Sequence, residues 1–177
     1  EQRYKNTHSG GLTPLLYAIR ENCRACVDEL LRRGASVNLP DPDGIAPLTL
    51  AMMNGNWDIA RHLVEAGADV NQWDIYGQSP LHVAIENTYV SRRSGLGNLG
   101  TDKSPNATDG KTLVKMLVER GADPNQQMFF RPPREPGQVS ASTRGTTPFH
   151  RACASADPEI ITYLLDHGAD IKLATAH

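Results

Sequence analysis

The sequence predicts an all-α solenoid built from stacked helix–turn–helix units. Three observations carry that expectation. Pro14, Pro47 and Pro80 follow one another at intervals of 33 residues. Gly34 and Gly67 keep the same interval of 33. Between each such proline and glycine lie two short apolar segments, the second with its apolar residues three and four apart, the spacing of one buried helical stripe. A period of this length marks a repeat array, in which one unit cannot bury its apolar face alone and so must stack on neighbours.

Each element of the unit has a physical reason. In "TPLL", "APLT", "SPLH" and "TPFH" a proline opens the first helix, where its missing N–H costs nothing. Thr13, Ser79 and Thr147 can cap that helix, whereas Ala46 has no side chain able to do so. A turn and a second helix follow. The second helices present Val27, Leu30 and Leu31; Ile59, Leu63 and Val64; Leu113, Met116, Leu117 and Val118; and Ile160, Ile161, Leu164 and Leu165 as core. Gly34, Gly67, Gly121 and Gly168 end them, where a left-handed residue is needed. "D-x-x-G" at Asp41–Gly44 and Asp74–Gly77 is turn chemistry joining one unit to the next.

The segments "GIAPLTLA", "GQSPLHVA", "GTTPFHRA", "GASVN", "GADVN", "GADPN" and "GADI" resemble the signatures of the ankyrin repeat. The resemblance covers roughly residues 9 to 173 apart from two interruptions, and the wording of the second unit is similar to ankyrin proteins common in bacteria. It implies one domain over 1–177, an elongated stack with a concave face, and hairpin-like finger turns between units. The repeats fall at about 8–40, 41–73, 74–127 and 142–174. The third holds an insertion near 88–110, and a finger insertion occupies about 128–141. The first is rich in Gly, Ser, Asn and Thr and reads as a surface loop, either a tolerated insertion or a partner contact.

The second insertion contains "MFFRPPREPG", with two of the three phenylalanines of the chain. It lies outside the repeat, so the repeat's own core does not require its rings. Two readings stand. Phe129 and Phe130 fold back over neighbouring fingers and seal the gap left by the enlarged loop. Or, with Arg131, they form an exposed anchor of the residue types enriched at interface hot spots.

Chemistry is not indicated. Cys23 and Cys26 form C-x-x-C, but no second ligand pair stands at zinc spacing and no βαβ unit surrounds them, so they read as structural thiols. "DGKT" at Asp109–Thr112 lacks the glycine and the strand of a phosphate-binding loop. His82 and His150 occupy the histidine of the ankyrin pattern, which ties neighbouring turns together. "NAT" at Asn106–Thr108 is a glycosylation acceptor triplet of a kind that arises often by chance. No enzymatic activity and no cofactor or metal are expected. The net charge of −2 argues against nucleic acid, and no run of about eighteen apolar residues spans a membrane.

The expectation is a protein-binding module acting through the concave face and fingers. The resemblance places Ile45, Met53, Trp73, Ile75, Tyr76, Gln78 and Arg144 on that surface, beside Phe129, Phe130 and Arg131. Trp73 and Ile75 either meet a partner or pack on the adjacent finger or on the two phenylalanines. The alternative is a structural spacer or assembly subunit. Neither end shows a polar capping unit, so the ends invite self-association or another repeat. The chain begins with Glu1, which reads as an excised or processed piece, and a soluble protein of the cytoplasm or the cell exterior is expected.

Overall fold

The computed structural model describes residues 11–93, 106–130 and 144–175, and among these every regular element is a helix. The helices pair as α1 (Pro14–Arg20) with α2 (Arg24–Arg32), α3 (Pro47–Met53) with α4 (Trp57–Glu65), α5 (Pro80–Arg93) with α6 (Gly110–Glu119), and α7 (Pro148–Ser155) with α8 (Pro158–Asp166). First helices stack in the order α1, α3, α5, α7, and α4, α6 and α8 stack alongside them.

Local chemistry sets the helix ends. The Thr13 hydroxyl accepts from the Leu16 amide, and Thr147 and His150 close a reciprocal capping box. Ser79 turns its hydroxyl to His82 Nδ1, 2.8 Å away. Gly34, Gly67, Gly121 and Gly168 all have φ close to +90°, a region that side chains avoid. The turn between paired helices needs the same conformation; Asn22 and Ala156 adopt it at φ of 54° and 56°.

α5 departs from expectation. Its helix continues to Arg93, through residues assigned from sequence to the first insertion. No proline or glycine stands between Pro80 and Gly95 to stop it. Asn106–Thr108 are tied to the second unit. The Asn106 side-chain amide donates to the Gly55 carbonyl, and the Asp58 carboxylate accepts from the Ala107 and Thr108 amides. The side chain of the acceptor triplet thus serves as an anchor to the second unit. Gly110 then lets α6 approach α5 so closely that a Cβ there would collide with Thr88.

The core runs along the stack as aliphatic stripes. Leu63, Leu117 and Leu164 are fully buried, as are Leu81, Ile85 and Leu113. Burying such side chains contributes about 1.5–3 kcal/mol each. Not every residue expected in the core is fully buried: Leu30, Leu31, Met116 and Ile161 are half-buried and Leu165 is exposed. All but Met116 belong to the first and fourth units, which among the described residues have a neighbouring unit on one side only.

Polar links keep the units in register. Asn38, Asn71 and Asn125 form a ladder, accepting from the amides of Asp69, Asp123 and Asp170 at 2.8, 2.9 and 2.8 Å. Asn71 and Asn125 also donate to the carbonyls of Gly121 and Gly168. Cys23 and Cys26 were expected as thiols; the structure instead joins them in a disulfide. The C-x-x-C spacing spans the first turn of α2, and that turn brings the two sulfurs together. Cys153 is free and exposed.

Candidate interaction surface

The turns between units form a row of fingers, and two of them are built around an aspartate. Asp41 Oδ1 accepts from the Asp43 and Ile45 amides at 3.0 and 2.8 Å. Asp74 Oδ1 repeats this with Tyr76 and Gln78, both at 2.9 Å. Backbone bonds link the fingers to one another. The Ile75 amide donates to the Asp43 carbonyl at 3.2 Å, and the Phe129 and Phe130 amides donate to the Tyr76 carbonyl at 2.8 and 3.2 Å. Met128 donates to Thr146, and Gly145 donates back to Met128. The tips are therefore one connected edge.

Both readings of the phenylalanines find support in the geometry. Phe129 folds back, its ring meeting Trp73 edge-on with centroids 6.1 Å apart. Its backbone lies against Gly77, where φ is +79° and a Cβ would come within 2.8 Å of the Phe129 nitrogen. Yet Trp73, Ile75, Phe129 and Phe130 remain 50%, 50%, 45% and 63% exposed. Such a concentration of apolar side chains on neighbouring tips is uncommon on a surface that meets only water.

The remaining residues expected on this surface divide. Tyr76 and Met53 are half-buried and Arg144 is exposed. Ile45 and Gln78 are corrections, because both are buried. Each follows a finger glycine, with its amide turned in to the aspartate. The Gln78 side chain donates to Glu86 at 3.4 Å. Neither offers surface to a partner. Arg131 lies outside the described residues.

Titratable groups beneath the tips are tuned by burial. Desolvation pushes the Asp74 carboxyl up to about 6, against the pull of the Gln78 and Tyr76 amides. Burial also raises the Tyr76 phenol, with Asp43 and Asp74 adding to the effect. His82 is wholly buried. The Ser79 amide donates to its Nδ1, so the proton sits on Nε2 and is given to the Thr146 carbonyl at 3.1 Å. Burial drives its pKa down to about 3, which keeps the ring neutral.

One feature of the site was missed in the sequence. Arg151 reaches from α7 to Glu86 on α5, with Nη1 3.1 Å from Oε2 and both side chains largely buried. Nη2 rests 3.8 Å from the Met128 sulfur. Burial lowers the guanidinium to about 10, so it stays charged at neutral pH. The signal was present: positions matching Arg151 in the other units are Tyr17, Leu50 and Val83.

The family described as "Ankyrin repeats (3 copies)" matches residues 15–95, and "Ankyrin repeat" matches residues 144–173. The chain is an ankyrin-repeat protein. Comparison with curated proteins finds no match. Ankyrin repeats are as a family protein–protein interaction modules and not catalysts. Among the described residues no helix is long and apolar enough to cross a membrane.

Proposed function

We propose that this ankyrin-repeat chain binds a partner protein through the tips of its second and third fingers. Trp73, Ile75, Phe129 and Phe130 act as apolar anchors, with Tyr76, Met53 and Arg144 as further contacts and Arg131, which follows Phe130 in the sequence, as a candidate beside them. The observation that carries this reading is the shared exposure of four large apolar side chains on one hydrogen-bonded edge. Held by the Tyr76 carbonyl and by the Trp73–Phe129 contact, they lose little freedom on binding, which favours affinity. A partner suited to this edge presents an apolar groove or pocket to the rings and accepts hydrogen bonds from arginine at its margin.

Affinity capture from source lysate tests the reading, comparing the native chain with Trp73→Ser and Phe130→Ser. Helicity measured by circular dichroism checks that the stack is intact. A protein captured by the native chain and lost from both variants supports the assignment. Undiminished capture by folded variants refutes it.

A further inference from the structure

Independently of the finger row, we infer that the Cys23–Cys26 disulfide is a thiol–disulfide exchange site whose substrate class is a dithiol. The bond joins Cys23, at the N-cap of α2, to Cys26 in the first turn of that helix. A βαβ unit is one way to set a C-x-x-C at a helix start; here the turn between α1 and α2 does so. A structural staple is the weaker explanation. Closing so short a loop removes less chain entropy than closing a long one. The turn is also held without the bond: the Cys23 amide donates to the Ala18 carbonyl at 2.9 Å, and the Val27 amide donates to the Cys23 carbonyl at 3.0 Å.

What the bond withholds is a helix cap. α6 and α8 begin at aspartates: Asp109 accepts from the Thr112 amide, and Asp157 accepts from the Glu159 and Ile160 amides. Cys23 stands at the same capping position and, bonded to Cys26, gives α2 no side-chain cap. Released as a thiolate, its sulfur supplies the anion that α6 and α8 carry there, beside the unpaired donors and the positive end of a nine-residue helix. The side-chain charges nearby are paired: Arg20 with Glu21, Arg24 with Asp28, and His62 of α4 with the same Asp28. Asp58 of α4 offers Arg24 its backbone carbonyl, and its carboxylate accepts from the Ala107 and Thr108 amides. The helix start is thus left to stabilise the thiolate. Cys23 is accordingly the leaving group, and Cys26, the more exposed of the two, is the sulfur attacked. A thiolate of the dithiol attacks Cys26 Sγ, the Cys23–Cys26 bond breaks, and its electron pair leaves on Cys23 Sγ. The second thiol of the substrate gives its proton to water and attacks the substrate sulfur of the mixed disulfide. Cys26 is released as a thiolate and takes a proton from solvent. The dithiol is oxidised by two electrons and the cysteine pair is reduced by two.

Dithiothreitol and glutathione are the probes, used on the whole chain. The native chain is equilibrated with reduced and oxidised dithiothreitol, alkylated and read by mass spectrometry, with circular dichroism alongside. Glutathione, which carries one thiol, traps the first step. Trypsin cleaves after Arg24, so once the bond is open the two cysteines fall on separate peptides and show which one holds it. In Cys26→Ser, the pH dependence of alkylation gives the midpoint of Cys23, with Cys153, whose thiol burial pushes up, as a reference in the same chain. The expected result is a pair that opens and recloses at unchanged helicity, glutathione on Cys26, and a Cys23 midpoint at least one pH unit below the usual thiol value of about 8.5. A bond that never forms in oxidised dithiothreitol, persists in excess reductant or opens only as helicity is lost overturns the inference. So does glutathione on Cys23, or a midpoint lowered by less. The first two readings need no variant, so a misfolded Cys26→Ser leaves the inference open to refutation.

Discussion

Truncation of Glu86 tests whether the third and fourth units are locked by a buried charge. In the native structure Arg151 Nη1 meets Glu86 Oε2 at 3.1 Å, with side-chain exposures of 4% and 14%. Arg151 Nε is buried without a hydrogen-bond partner, so this carboxylate is the guanidinium's principal compensation. Glu86→Ala strands a cation that burial brings down only to about 10, far too high for it to shed its proton at pH 7. Removing one partner of a buried pair costs about 3–5 kcal/mol. Partial exposure of Glu86 lets water reach the gap and puts the expectation at the lower end, about 3 kcal/mol. For a chain of this size that lowers the melting temperature by about 6–12 °C. Arg151→Met combined with Glu86→Leu should restore most of the loss, because the pair's own desolvation cost disappears too. Thermal and urea unfolding at pH 7 of the native chain, Glu86→Ala, Arg151→Met and the two double variants provide the measurement. A cost below about 1 kcal/mol for Glu86→Ala, or an equal cost in the Arg151→Met background, refutes the reasoning.

Three further outcomes are expected. His82 and Asp74 give opposite pH dependences: below pH 6.5 the unfolded chain binds a proton that folded His82 refuses until about 3, so stability falls with acid across that window. Folded Asp74 binds its proton near 6 against 3.8 unfolded, so its contribution is present below 3.8 and is lost as pH rises through 6. Asp74→Asn should therefore steepen the loss of stability between pH 6.5 and 4 in urea titrations, and an unchanged slope would count against the assignment. Gly77→Ala, at φ +79° and against Phe129, should cost about 2–3 kcal/mol and alter Trp73 fluorescence, since the Phe129 ring must move. Ala156→Gly should stabilise by about 0.5–1 kcal/mol in thermal melts, because Ala156 holds a left-handed conformation at φ 56°.

The repeat was legible because its defining residues act locally. A proline at the first helical position, a glycine with φ near +90° and an apolar stripe each state their requirement within one unit. What the sequence concealed depends on neighbouring units. Leu30 and Leu165 carry the core pattern, yet their burial is decided by whether another unit covers them. Ile45 and Gln78 occupy variable finger positions, but their amides are drawn in to an aspartate and the side chains follow. The Arg151–Glu86 pair joins residues 65 positions apart, across both insertions, where no period reports on contact. The Cys23–Cys26 bond needed the inter-helix turn to place Cys26 one turn into α2.

The finger insertion also explains how a stack tolerates foreign sequence. Met128 donates to Thr146 and Gly145 donates back to Met128, so the chain leaves and returns at one point. Met128 is buried and Arg151 rests on its sulfur, so the root of the insertion belongs to the core. The two aromatic residues directly after that root are tied to the Tyr76 carbonyl. Register is thus kept on the inner side of the junction, and apolar surface is displayed on its outer side. Under the proposed function, an ankyrin stack built this way separates the residues that fold it from those that would meet a partner. The exposed aromatics lie at the boundary between the two sets: their backbones are fixed by the stack and their rings are presented to the outside.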